Sequence, residues 1–230
     1  MSSTMLQLVQ QTTSELNLAI PTYVAGNTNQ DVQQVLALMN RQGYDLVKEY
    51  DWQALQLEYR FYTDAQTFVG STVSNASYNI IVTGDATALT SNFTITGTGI
   101  NQDTYVSSVT YNSGTGLSTI VMSQLASGTY TSVTFTFSQT KYPLPNDFET
   151  ITDNTHWDKT KHWQMLGPED AQQWQWLKSG YISTGPRIRW RILGNKFQIW
   201  PPYNTQEYLG FEYRSKGWAR SAADAVKNSF

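Results

Sequence analysis

Apolar residues recur at helical spacing through Val32, Val35, Leu36, Met39, Leu46, Val47 and Tyr50, and then the period changes. Leu55, Leu57, Tyr59 and Phe61 alternate with Gln56, Glu58, Arg60 and Tyr62. The first spacing is one stripe of a helix, and the second is one face of a half-buried strand. Tyr50, Asp51 and Trp52 stand at the change and form the expected helix–sheet junction. A large ring there can pin helix to sheet, and its ordinary place is the core.

Upstream, Thr4-x-x-Gln7 fits a capping box before the modest stripe Leu6, Val9, Thr13 and Leu16, and Pro21 stops this first helix. Asn27-Thr28-Asn29 offers caps for the second, Asp31 suits the positive end of its dipole, and Gly43 is a weak point within it. Two helices joined by a short turn predict an antiparallel hairpin.

The pattern changes again at about Thr67. From there to Thr140 the chain holds only two charges, Asp85 and Asp103, while 31 lie elsewhere. Strand-sized runs at 78–82, 92–96, 104–110, 118–122 and 131–137 are separated by Gly-containing turns, which predicts an inserted all-β domain, Ig-like or a small barrel. Beyond it, Trp163–Leu166 predicts a short strand, and Gly167-Pro168-Glu169-Asp170 a helix start leading into Ala171, Trp174 and Leu177. Ile188, Trp190 and Ile192 alternate with Arg187, Arg189 and Arg191. Gly194-Asn195 is a two-residue hairpin turn before Lys196–Trp200, and Tyr208–Arg214 adds a strand. The expected class is α+β: a helical hairpin plus a small antiparallel sheet, with the inserted β domain. The expected divisions are 1–66 (hairpin and first strand), 67–140 (insertion), 141–216 (rest of the core) and 217–230 (C-terminal arm).

Composition narrows the function classes. A net charge of -3 does not advertise a nucleic-acid or acidic-membrane binder, and 40% hydrophobic content is enough for a core. With no cysteine, disulfides and thiolate metal sites are excluded, and folding in a reducing cytoplasm is expected. The first residues lack a basic region and an apolar core, so no signal peptide is expected, and no apolar run reaches the roughly 18 residues of a membrane span.

Candidate chemistry is sparse. His156 and His162, with Asp153 and Asp158 nearby, fit no metal-ligand spacing. Asp147, Glu149 and Asp153 could supply paired carboxylates for glycoside hydrolysis, although acids in a loop are ordinarily solvated turns or caps. Neither a phosphate-binding glycine loop before a helix nor a Gly-x-Ser-x-Gly nucleophile turn is present. The Arg187, Arg189 and Arg191 stripe could hold phosphates or an acidic partner, but alternation favours the polar face of a half-buried strand. Charge is segregated: residues 1–66 carry 3 basic and 7 acidic side chains, and residues 141–230 carry 12 and 9, which suits contacts between copies or with a neighbour of opposite sign. No enzyme activity and no cofactor are expected.

Several landmarks occur in order: Leu6-Gln7-Leu8-Val9-Gln10, Gly26-Asn27-Thr28, Tyr50-Asp51-Trp52-Gln53-Ala54-Leu55, and Tyr142-Pro143-Leu144-Pro145-x-Asp147-Phe148. They continue with Trp157-Asp158, Gly167-Pro168, Trp174 with Leu177, Arg189 with Ile192, and Phe211-Glu212-Tyr213-x-Ser215-x-x-Trp218. In these the framework resembles the head-to-tail adaptor (tail accessory factor, connector) family of tailed bacteriophages, the short-tailed type especially. The insertion departs from the shorter members. Its Gly97-x-Gly99-Ile100 and Thr104-Tyr105-Val106 resemble a small β module of phage structural proteins. The resemblance implies a virion protein of the tail or neck, assembled in the host cytoplasm as a ring of twelve copies. Such a ring docks to the portal protein, extends the DNA channel without specific DNA binding, and carries nozzle, fibre or spike proteins. The family's C-terminal arm reaches the portal, which implies Trp218, Arg220, Lys227 and Phe230 as docking candidates. Trp163, Trp174, Trp176 and the three arginines are candidates for the subunit interface. The competing readings are a carbohydrate- or host-binding tail protein working through the insertion, and a cell-wall glycoside hydrolase.

Overall fold

The computed structural model describes residues 4–180 and 187–219. Helix α1 (Met5–Glu15) opens on the expected capping box: the Thr4 hydroxyl accepts from the Gln7 N–H at 3.2 Å, and the Gln7 side chain accepts from the Thr4 N–H at 2.9 Å. Asn29 caps α2 (Gln30–Glu49) by accepting from the Asp31 N–H at 2.8 Å. The two helices meet through Val9, Val32 and Val35. A 3-10 turn (Gln53–Leu55) then leads into the strands.

In chain order these are β1 (Gln56–Tyr62), β2 (Ala65–Val73), β3 (Asn79–Thr83), β4 (Phe93–Gly97), β5 (Val106–Asn112), β6 (Leu117–Met122) and β7 (Tyr130–Gln139). They continue with β8 (Lys141–Pro143), β9 (Phe148–Ile151), β10 (Trp157–Asp158) and β11 (Trp163–Gln164). After α3 (Ala171–Lys178) come β12 (Arg189–Leu193), β13 (Lys196–Trp200) and β14 (Tyr208–Ser215). Among the described residues the chain is therefore mostly β, with fourteen strands in three sheets against α-helices of only 11, 20 and 8 residues.

This corrects the expected α+β class, a helical hairpin plus a small antiparallel sheet. The reason is where the apolar area lies. The two N-terminal helices bury small side chains, Val9 and Thr13 on α1 and Val32, Val35, Gly43 and Val47 on α2. Phe135, Phe137, Phe197 and Phe211 are buried on strands, and a buried aromatic ring removes far more surface from water than a valine does. Strands β2 to β7 build one antiparallel sheet in the order β4-β7-β2-β3-β6-β5, so the two packed sheets of an Ig-like sandwich are not present in this segment. Its edges meet at a bridge between Thr94 and Tyr105, and Ile80, Ile95, Ile120, Phe135 and Phe137 fill its core.

Contacts divide the chain into two units. The first gathers the described residues of Met1–Glu58, Asp147–Thr152 and Glu212–Phe230, and the second those of Tyr59–Asn146 and Asp153–Phe211. In the first unit β9 pairs with the end of β14, and Asp147 ties this segment together. Its carboxylate accepts from the Tyr213 hydroxyl at 2.9 Å and the Ser215 hydroxyl at 2.5 Å, and its carbonyl accepts from the Lys216 N–H at 2.7 Å. In the second unit β12 and β13 form the expected hairpin, with Gly194 and Asn195 both at positive φ, and β13 pairs on with β8. A run of rings joins this sheet to β14: Trp190 lies 5.2 Å from Phe197, and Phe197 lies 5.0 Å from Phe211.

Candidate functional site

Helix α2 turns its small residues inward and leaves large ones outside. Leu38, Tyr44, Leu46 and Tyr50 are exposed, Tyr50 by 66%. Just past the helix Trp52 is 45% exposed, so the junction tryptophan is not a core ring. Its indole N–H reaches back to the Leu46 carbonyl at 2.8 Å, and the Tyr50 ring meets it edge-on at 5.4 Å. Leu46 and Val47 on α2, Ala54 and Leu55 after it, and the two indoles of Trp52 and Trp218 line a groove of about 250 Å³ floored by Gly43.

The groove walls carry no ionisable side chain. Exposed Asp45, Glu49 and Asp51 stand near it in the chain, opposed by Lys48, and Asp51 approaches the Arg214 guanidinium at 3.9 Å. Such a surface can bury an apolar side chain from a partner, and has no group to exchange a proton or hold a metal. Helix propensity alone makes Gly43 a weak point of α2. The Trp218 ring lies directly on it, so that an added methyl would overlap the indole. No pattern in the sequence links these two positions.

The chain matches no family model, no curated protein and no solved structure.

The other expected residues fall in different places. Trp218 lines the groove, whereas Arg220, Lys227 and Phe230 lie outside the described residues. Trp163 and Trp176 are exposed, but Trp174 is buried with Leu177 and Trp200 and presents no face to a partner. Arg187 is exposed and Arg191 half-buried. Arg189 makes a 2.6 Å ion pair with the buried Glu169, which the sequence assigns to the first turn of α3. The helix in fact begins one residue after Asp170, whose carboxylate caps it by accepting from the Gln173 N–H at 2.7 Å.

The acids and histidines considered for chemistry are dispersed. Asp147 is spent on Tyr213 and Ser215, while Glu149 and Asp153 are exposed. His156 is buried with its ring 4.9 Å from Trp190, and burial pushes its pKa down, while His162 is exposed in a turn. Among the described residues no three His, Asp or Glu side chains converge as a metal site. Two buried acids in the second unit, Asp158 and Glu207, are structural. Asp158 accepts from the backbone of Thr160 and Lys161 and from the Tyr203 hydroxyl; Glu207 accepts from Thr205 at 2.8 Å and pairs with Lys161 at 3.1 Å. The Tyr203 hydroxyl is pushed far above its ordinary pKa by burial first and by the Asp158 carboxylate second. Nothing local in the sequence marks Glu207 or Tyr203.

Proposed function

We propose that this chain is a non-enzymatic virion component, a head-to-tail adaptor that forms a ring, docks to the portal protein, extends the DNA channel and supports the tail components. The observation that carries the reading is the apolar groove of the first unit. Two tryptophans and two leucines lining one groove, with the exposed Tyr50 ring against Trp52, are an anchor-type surface of the kind that protein partners cover. Trp218, one of the docking candidates implied by the resemblance, is one of its walls. A ring is one head-to-tail contact repeated by rotation, and it needs two complementary surfaces on each copy. The acidic excess of residues 1–66 suits a channel that must not grip phosphates. The pairing of Arg189 with Glu169 removes one guanidinium from the stripe that could have done so.

Light scattering tests this on the purified protein alone and mixed with the portal ring of its own phage. A complex of fixed stoichiometry, a ring of twelve copies with or without the portal, is the expected result. Leu46→Asp, which puts a charge into the groove, is expected to abolish the complex while leaving the circular dichroism unchanged. A wild-type monomer that ignores the portal would overturn the reading.

A further inference from the structure

Helix α3 carries a surface apart from the groove on which the adaptor proposal rests, although Trp176 on it is also a subunit-interface candidate under the resemblance. Its inner side is pinned: Trp174 and Leu177 are buried against Trp200. The Lys178 ammonium lies 5.8 Å from the Trp174 ring centre and 5.5 Å from that of Trp200, and pairs with Asp103 at 2.8 Å. Trp176 points the other way and is 53% exposed. Gln172 and Gln173 precede it by one helical turn, so they share its face. With Asp170 these residues line an open depression of about 340 Å³. Among the described residues neither glutamine side chain has a hydrogen-bond partner, and the Asp170 carboxylate gives one oxygen to the Gln173 N–H and keeps the other.

We propose that this face binds a neutral saccharide. A pyranose presents a face of C–H groups edged by hydroxyls that both donate and accept. An indole face offers the flat apolar counterpart of the first. Two amides, each with donors and an acceptor, and a carboxylate oxygen offer the counterpart of the second. No lysine or arginine lines the depression, which excludes the usual recognition of phosphate, sulfate or carboxylate groups. The depression is shallow and open, which suits one face of a sugar ring lying on the indole rather than an enclosed ligand. The buried Trp174 and Leu177 hold the helix in place beforehand, so that little ordering is needed on binding.

The full chain is tested on an array of neutral glycans, followed by calorimetric titration with cellotetraose, maltotetraose and chitotetraose. The expected result is saturable binding of at least one neutral glycan. Trp176→Ala weakens it about tenfold, Gln172→Ala and Gln173→Ala weaken it by lesser factors, and Trp176→Phe keeps part of it. Trp176 is exposed, so these variants are expected to retain the wild-type circular dichroism. Silence across the array, or binding indifferent to Trp176→Ala, overturns the proposal. So does a Trp176→Ala variant whose only change is in native mass, since that assigns the ring to a protein contact. The wild-type portal measurement and the Leu46→Asp variant test the adaptor reading separately, so failure of the glycan titration leaves that reading in place.

Discussion

Gly43 inverts an ordinary expectation about glycine. In a free helix alanine would be better by about 1 kcal/mol. Here the missing methyl is what lets the Trp218 indole rest on the helix backbone. Gly43→Ala is expected to lower stability by about 1–3 kcal/mol through overpacking and to push Trp218 outward. Urea unfolding with acrylamide quenching reads both effects, and a stabilised variant with unchanged quenching would refute the packing. His156 supplies a second single-residue test. Its pKa is depressed in the folded state by burial, so the unfolded chain takes up the proton first as pH falls. Its contribution is therefore intact above about pH 6.5 and is lost progressively below it, down through the folded-state value. Melting temperatures between pH 7.5 and 5 should fall less steeply for His156→Gln than for the wild-type chain.

At the scale of the element, alternation shows which residues share a face and leaves open what covers that face. The arginines of β12 read as the polar side of a half-buried strand, yet Arg189 holds the carboxylate of Glu169, which is only 6% exposed. Arg189→Met strands that charge, and an expected loss of about 3 kcal/mol follows. This is at the lower end for breaking a buried pair, because the guanidinium keeps some water. Arg191→Met should change stability by no more than about 0.5 kcal/mol. Chemical denaturation of the two variants side by side checks the contrast, and equal losses would refute it. Strand β2 shows how an element escapes sequence reading. Its register against β7 shifts between Phe68 and Ser71 and again before Val73, with Gly70 at positive φ. Each irregularity breaks the period of two, so Ala65–Val73 lacks the alternation that marks a strand.

At the scale of the whole molecule, the class depends on where apolar area is concentrated. Helical periodicity at the N-terminus predicts a framework of helices with a small sheet. The large rings lie instead on tracts of period two, and their burial makes the chain mostly β. Assembly also belongs to this scale, since the groove beside α2 is lined by the exposed Trp52 and Leu46 and the half-buried Trp218, an apolar surface of the kind that protein partners cover. The portal measurement and the glycan titration ask what covers two separate surfaces, and either can succeed alone.

By itself the sequence determined what neighbouring residues settle among themselves: the Thr4 capping box, the Asn29 cap, the Gly194-Asn195 hairpin and the alternation of β1, β7 and β12. These arise from backbone sterics and hydrogen bonds within a few positions. Only the tertiary structure decided that Trp218 lies on Gly43, that Glu169 takes Arg189, that Glu207 takes Lys161, and that Trp174 is buried while Trp176 is exposed. Each depends on surfaces brought together from distant parts of the chain, and residue type and local spacing do not specify which distant surface will arrive.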